Sequence, residues 1–102
     1  MTADTDAAVL VLASLAEGAK HGYAIVQDVS AQVGVRLGPG TLYGVLARLE
    51  DGGLIEALPA EGRRRPYRIT PAGQQALTEQ VQQMHRVADL GLRRLGLAGG
   101  QA

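Results

Sequence analysis

The stretch from Gly38 to Ile55 carries its own start and stop signals, and it leaves the chain few folds to choose from. Proline suits the first helical position and Gly38 can serve as the cap, so a helix begins at Pro39. Leu42, Val45, Leu46 and Leu49 recur at helical spacing and face inward. Thr41, Tyr43, Gly44, Ala47 and Arg48 are then left largely outward. Gly52-Gly53 stops the helix. Leu54 to Leu58 reads as a strand, Pro59 to Arg65 as a loop, and Tyr67 to Thr70 as the antiparallel partner. The loop carries Arg63-Arg64-Arg65, with Arg68 just behind, so a short amphipathic helix leads directly into a basic hairpin.

The rest of the chain supplies helices around that unit. Residues 5–17 form a first helix in which Val9, Leu10, Val11, Leu12 and Leu15 leave almost no polar face, as in a helix buried on more than one side. Glu17-Gly18 ends it, and Ala19-Lys20-His21-Gly22 reads as a turn. Tyr23 to Val33 is a second helix, with Ile25, Val26, Val29 and Val33 on one face and Gly34 as its stop. Thr70-Pro71 pairs a hydroxyl cap with a first-turn proline and starts a last helix running to about Leu95. Along it Leu77, Val81, Met84, Ala88, Gly91 and Leu95 follow heptad spacing, widened by Val87 and Leu92. The expected fold is mainly α with a small two-stranded β wing: a winged helix-turn-helix over residues 1–73, followed by a long C-terminal helix over 71–96 and a flexible tail over 97–102.

With 102 residues, 46% of them apolar, the chain is one globular domain. It has no cysteine, which excludes disulfides, thiolate metal sites and a thiol nucleophile. With no phenylalanine or tryptophan and only Tyr23, Tyr43 and Tyr67, its core is aliphatic. Asp4 and Asp6 with no basic flank do not make a secretory signal, and the apolar run from Ala7 to Ala16 falls short of the roughly 20 residues that span a bilayer. A cytoplasmic protein without membrane contact is expected.

The net charge is zero, which weighs against a nucleic-acid partner. Its distribution weighs the other way, because phosphate fields act within a Debye length of about 8–10 Å. Four of the ten basic residues lie between Arg63 and Arg68, while the acids are scattered. The arginine run can contact phosphates or enter a narrow minor groove. The alternative is a solvated tip that keeps a loop soluble. Thr41 and Tyr43 lie in the first turns of the third helix, where hydroxyls reach phosphates or base edges, and Gly44 and Ala47 are small enough for close approach. Tyr43 could instead pack on the second helix, and Arg48 could pair with Glu50, Asp51 or a wing residue. His21 and Tyr23 stand where a helix begins and can meet a phosphate, with Lys20 adding charge. Capping or packing is the plainer role for His21. His85 reads as a solvated or interface residue.

Lys20-His21-Gly22-Tyr23, Pro39-Gly40-Thr41-Leu42-Tyr43 with Leu46 and Arg48-Leu49-Glu50, and Gly62-Arg63-Arg64-Arg65-Pro66-Tyr67-Arg68-Ile69-Thr70 with Ala72-Gly73 together resemble the PadR family of bacterial transcriptional regulators in its compact form. The resemblance runs from about Val9 to the start of the last helix. It implies a homodimeric, repressor-like protein on a roughly palindromic operator. The third helix, from Pro39 and Gly40 onward, would enter the major groove, and the wing would lie along the minor groove or backbone. The last helix would form the dimer, commonly by packing on the first helix of a second copy, which brings in Val9 and Leu12. Members respond to small molecules, often phenolic or drug-like, at or near the dimer interface. Two departures stand out. No aromatic side chain of the kind that sandwiches flat ligands follows Tyr67, and Gly38 stands where the family often has a hydroxyl cap.

No catalytic machinery is expected. His21 and His85 lack metal-ligand spacing, Ser14 and Ser30 have no nucleophile-elbow context, and the glycines form no phosphate loop. No cofactor follows. The rival to DNA binding is a winged helix that binds protein, which has no need of three successive arginines.

Overall fold

The computed structural model describes residues 3–97. In chain order these form α1 (Ala3–Ala16), β1 (Lys20–His21), α2 (Gly22–Val33), α3 (Pro39–Asp51), β2 (Ile55–Ala57), β3 (Pro66–Ile69) and α4 (Pro71–Arg94). The four helices and the two wing strands fall in the expected order, with boundaries displaced by at most two residues, and β1 is an addition. The final residues, 98–102, lie outside the described part, and with them most of the tail.

Because α1 is apolar nearly all round, it sits at the centre and the other elements pack about it. Ala7, Val11, Leu12 and Leu15 are buried with Ile25 and Val29 of α2, with Leu42, Val45, Leu46 and Leu49 of α3, and with Ile55 and Ile69 of the sheet. Each fully buried aliphatic side chain contributes about 1.5–3 kcal/mol before chain entropy is counted. Leu12, assigned to the dimer surface above, is only 3% exposed and belongs to this core. That assignment is corrected: an all-apolar helix offers no pattern for deciding which residue its own chain covers.

The sheet is three-stranded, in the order β1-β3-β2, where two strands were expected. Lys20 and His21 are not simply a turn. They pair antiparallel with Tyr67 and Pro66, while Ile55, Glu56 and Ala57 pair with Ile69, Arg68 and Tyr67. Two residues are too short to show alternation, so the third strand exists through pairing with the free edge of β3.

The corner before β1 is held by a small polar network. Ser14, buried on α1, donates its hydroxyl to Asp28 Oδ2 at 2.7 Å. Lys20 Nζ donates to the Ser14 carbonyl and pairs with Glu17 at 2.8 Å and Asp28 at 3.7 Å. Buried polar groups are thereby satisfied, and α1, β1 and α2 are pinned together.

Gly34, at φ +71°, closes α2 in the left-handed region, and Leu37 anchors the extended link to α3. Thr70 caps α4 by accepting from the Gly73 N–H at 3.1 Å, and its hydroxyl donates to the Gly53 carbonyl at 2.7 Å. At 24 residues, α4 is about 36 Å long. Only its first turns reach the core, through Gly73 and the half-buried Ala76 and Leu77. The remainder projects from the body, and with it the whole molecule measures 54 × 25 × 23 Å.

Candidate nucleic-acid interface

Three segments distant in sequence meet on one surface. The start of α2, the outward side of α3 and the wing converge on a pocket of about 190 Å³ lined by His21, Gly22, Tyr23, Tyr43, Arg63, Arg64, Arg65 and Tyr67. A separate shallow depression on α3 is lined by Gly40, Thr41, Gly44, Val45 and Arg48. His21, Tyr23, Tyr43 and Arg63 to Arg65, singled out separately from the sequence, are therefore neighbours in space.

The wing arginines occupy distinct positions. Glu61 and Arg64 exchange backbone hydrogen bonds of 2.7 and 3.0 Å, closing a tight turn over Gly62-Arg63. Gly62 takes φ +64°, the positive value that hairpin turns require at the first central position. Arg63 thus stands at the tip and, among the described residues, makes no hydrogen bond or ion pair. Arg64 Nη1 lies 3.3 Å from His21 Nε2, and Arg65 Nη1 donates to the Leu58 carbonyl at 3.0 Å. Arg68 pairs across the strands with Glu56, at 3.1 Å from Nη2 to Oε2, so its charge is largely balanced locally.

On α3, Thr41, Gly44, Ala47 and Arg48 are exposed, and the inward leucines hold the helix against α1. Tyr43 is 59% exposed and Tyr23 63%. The Tyr43 ring still crosses to α2: its hydroxyl lies 3.4 Å from where a Cβ on Gly22 would stand. Gly22 therefore admits the ring, a role not assigned from the sequence. Tyr67, read there only as a strand residue, also lines the pocket.

Lys20 requires a correction. Its side chain is only 14% exposed and its ammonium is engaged by Glu17, Asp28 and the Ser14 carbonyl, so it offers no free charge to a phosphate. Of these partners Ser14 belongs to α1 and Asp28 to α2, and only the fold brings both to Lys20. His21 caps α2, its Nδ1 accepting from the Ala24 N–H at 3.3 Å.

The second surface of interest is the projecting part of α4. Val81, Met84, Val87, Leu90, Leu92 and Leu95 are each at least 41% exposed, and Ala88 is exposed among them. Val9 on α1 is half-buried. A run of exposed aliphatic side chains on one helix marks an interaction surface more often than a solvated one. Among the described residues no cluster of three or more His, Cys, Asp or Glu could hold a metal ion, and no helix is long and apolar enough to cross a membrane.

The chain matches known proteins along most of its length. Residues 11–79 fit the family model described as the transcriptional regulator PadR-like family. The transcriptional regulator Rv3488 of Mycobacterium tuberculosis is 43% identical over 81 residues, covering 76% of this chain and 75% of its own length. An uncharacterised 37.1 kDa protein of a Streptomyces fradiae transposon is 48% identical over 83 residues, covering 81% of this chain; the chain spans only about a quarter (24%) of that relative. A transcriptional regulator from Clostridium thermocellum has the same architecture, with a TM-score of 0.79 at 26% identity over 91% of this chain and 96% of its own. With a family model spanning α1 to the first turns of α4, and a 43% identical regulator matched over three quarters of its length, the chain belongs to the PadR-like family of transcriptional regulators.

Proposed function

We propose that the chain represses transcription as a homodimer bound to a palindromic operator. The observation that carries this reading is the convergence of the α2 start, the exposed side of α3 and the arginine wing on one surface. In the complex α3 lies in the major groove, with Pro39, Gly40, Thr41 and Tyr43 nearest the bases, and Gly44 and Ala47 allow its backbone close approach. Arg48 stands further along the same face. Tyr23 and Arg63 to Arg65 hold the phosphates on either side and fix register, while Arg68 orients the wing through Glu56.

The dimer forms through α4. Leu77, Val81, Met84, Ala88, Leu92 and Leu95 supply its seam, and Val9 supplies part of the surface it meets on the second copy. A two-fold dimer presents two α3 helices about one DNA turn apart, about 34–36 Å, which is why the operator is palindromic. An effector at this interface is held by aliphatic side chains rather than by stacking, since no phenylalanine, tyrosine or tryptophan follows Tyr67.

The experiment is a salt titration of binding to random duplex DNA. Affinity that falls steeply with salt, by nearly one logarithmic unit per decade for each phosphate neutralised, supports the reading. Absence of binding at low salt, or binding indifferent to salt, contradicts it and favours a protein-binding winged helix.

A further inference from the structure

The contact between His21 and Arg64 contains a conflict of donors. His21 Nδ1 accepts the Ala24 N–H at the start of α2. In a neutral imidazole one nitrogen accepts and the other carries the proton, so the capping tautomer puts a proton on Nε2. A guanidinium has only donors. Arg64 Nη1 nevertheless lies 3.3 Å from that same Nε2. The imidazole can serve one of these contacts at a time. With the cap kept, both side chains present N–H donors to the same space.

That space opens into the pocket that Tyr23, Tyr43 and Tyr67 also line, three further side chains ending in hydroxyls. At about 190 Å³ it is smaller than the roughly 300–1,000 Å³ of drug-sized ligand sites. Among the described residues no carboxylate lines it. We infer that the pocket is a seat for one tetrahedral phosphate, held jointly by the Nε2–H of neutral His21 and the guanidinium of Arg64. The phosphate accepts from both, and holding it selects the tautomer that caps α2. Arg64 contributes charge and His21 an uncharged, oriented donor. In the regulator complex this phosphate belongs to the DNA backbone, so the inference rests on the DNA-binding reading for its source but not for the chemistry of the site.

His21→Asn separates the two roles of the histidine, because asparagine is among the best N-cap residues and keeps the cap while removing the Nε2 donor. At mildly alkaline pH, His21→Asn is expected to melt like the wild type, to bind duplex DNA roughly tenfold more weakly, and to keep the wild-type salt slope. Arg64→Ala is expected to weaken binding and to lower the slope by about 0.9. The double variant should lose less than the sum of the single losses, since both groups hold one phosphate. In parallel, inorganic phosphate is titrated into the free full-length chain against chloride at matched ionic strength. The imidazole ¹⁵N resonances of His21 should move, those of exposed His85 should not, and Arg64→Ala should abolish the response.

A DNA effect without a free-phosphate effect assigns the seat to backbone phosphate alone, and a response to both assigns it to phosphate generally. A phosphate response in a protein that binds no DNA keeps the seat and removes the regulator reading. His21→Asn binding DNA as the wild type does, with His21 silent to phosphate, overturns the inference while leaving the regulator reading standing.

Discussion

Replacing Gly73 with alanine sets two physical effects against each other, and the structure says which prevails. Gly73 lies in the first turn of α4, where alanine's higher helix propensity alone would stabilise the chain by up to about 1 kcal/mol. A Cβ built there overlaps the Leu54 carbonyl oxygen and stands 2.8 Å from Ile69 Cγ1 and 3.0 Å from the Leu54 carbonyl carbon. Two of those three atoms are backbone and cannot rotate away. Relief requires the start of α4 to move off the sheet. That motion stretches the Thr70 N–H bond to the Leu54 carbonyl (3.0 Å) and the Thr70 hydroxyl bond to the Gly53 carbonyl (2.7 Å). Overpacking costs about 1–3 kcal/mol, and each weakened hydrogen bond adds about 1 kcal/mol. The net expectation is a loss of about 2–4 kcal/mol, a fall in Tm on the order of 10–20 °C for a domain of this size. Thermal unfolding followed by circular dichroism measures it, at matched protein concentration because dimerisation would couple to Tm. A Gly73→Ala variant that melts at or above the wild type would refute the packing described for the α4 start.

Lys20→Met should cost about 1–3 kcal/mol in urea unfolding, because Asp28 keeps only the Ser14 hydroxyl and the Ser14 carbonyl loses the ammonium, yet leave the salt slope of DNA binding unchanged; a reduced slope would return Lys20 to the interface. Arg63→Ala, at the wing tip, should leave Tm unaltered and lower the slope by about 0.9; an unchanged slope would mean that the tip does not touch phosphate. Met84→Asp, in the exposed face of α4, should give a folded monomer by sedimentation, with operator affinity lost in parallel. If Met84→Asp stays dimeric, the seam lies elsewhere.

The parts of the fold legible in the sequence are those with local causes. Pro39 after Gly38, Gly34, the Gly52-Gly53 pair and Thr70-Pro71 mark helix ends through the φ, cap or missing N–H of a single residue, and the ends fall there. The aliphatic spacing of α3 likewise separated its buried leucines from Thr41, Gly44 and Arg48. What escaped depends on how separate elements are brought together by the fold. β1 exists only because Tyr67 and Pro66 lie opposite Lys20 and His21. The ammonium of Lys20 is taken up by Asp28 on α2 and the Ser14 carbonyl on α1, which only the folding of the two helices brings to it together. Leu12 is buried by its own chain, a choice that an all-apolar helix leaves unmarked. At the site, the residue types were readable, but the His21–Arg64 approach spans 43 positions and needed the fold.

The central claim, that two copies read one DNA sequence through α3 and the wing, is tested most directly by selecting bound duplexes from a random pool with the full-length protein. A palindromic consensus with half-sites about one helical turn apart, about 34–36 Å between centres, is the predicted result. Recovery of duplexes with no shared sequence, or of a single asymmetric half-site, would contradict it.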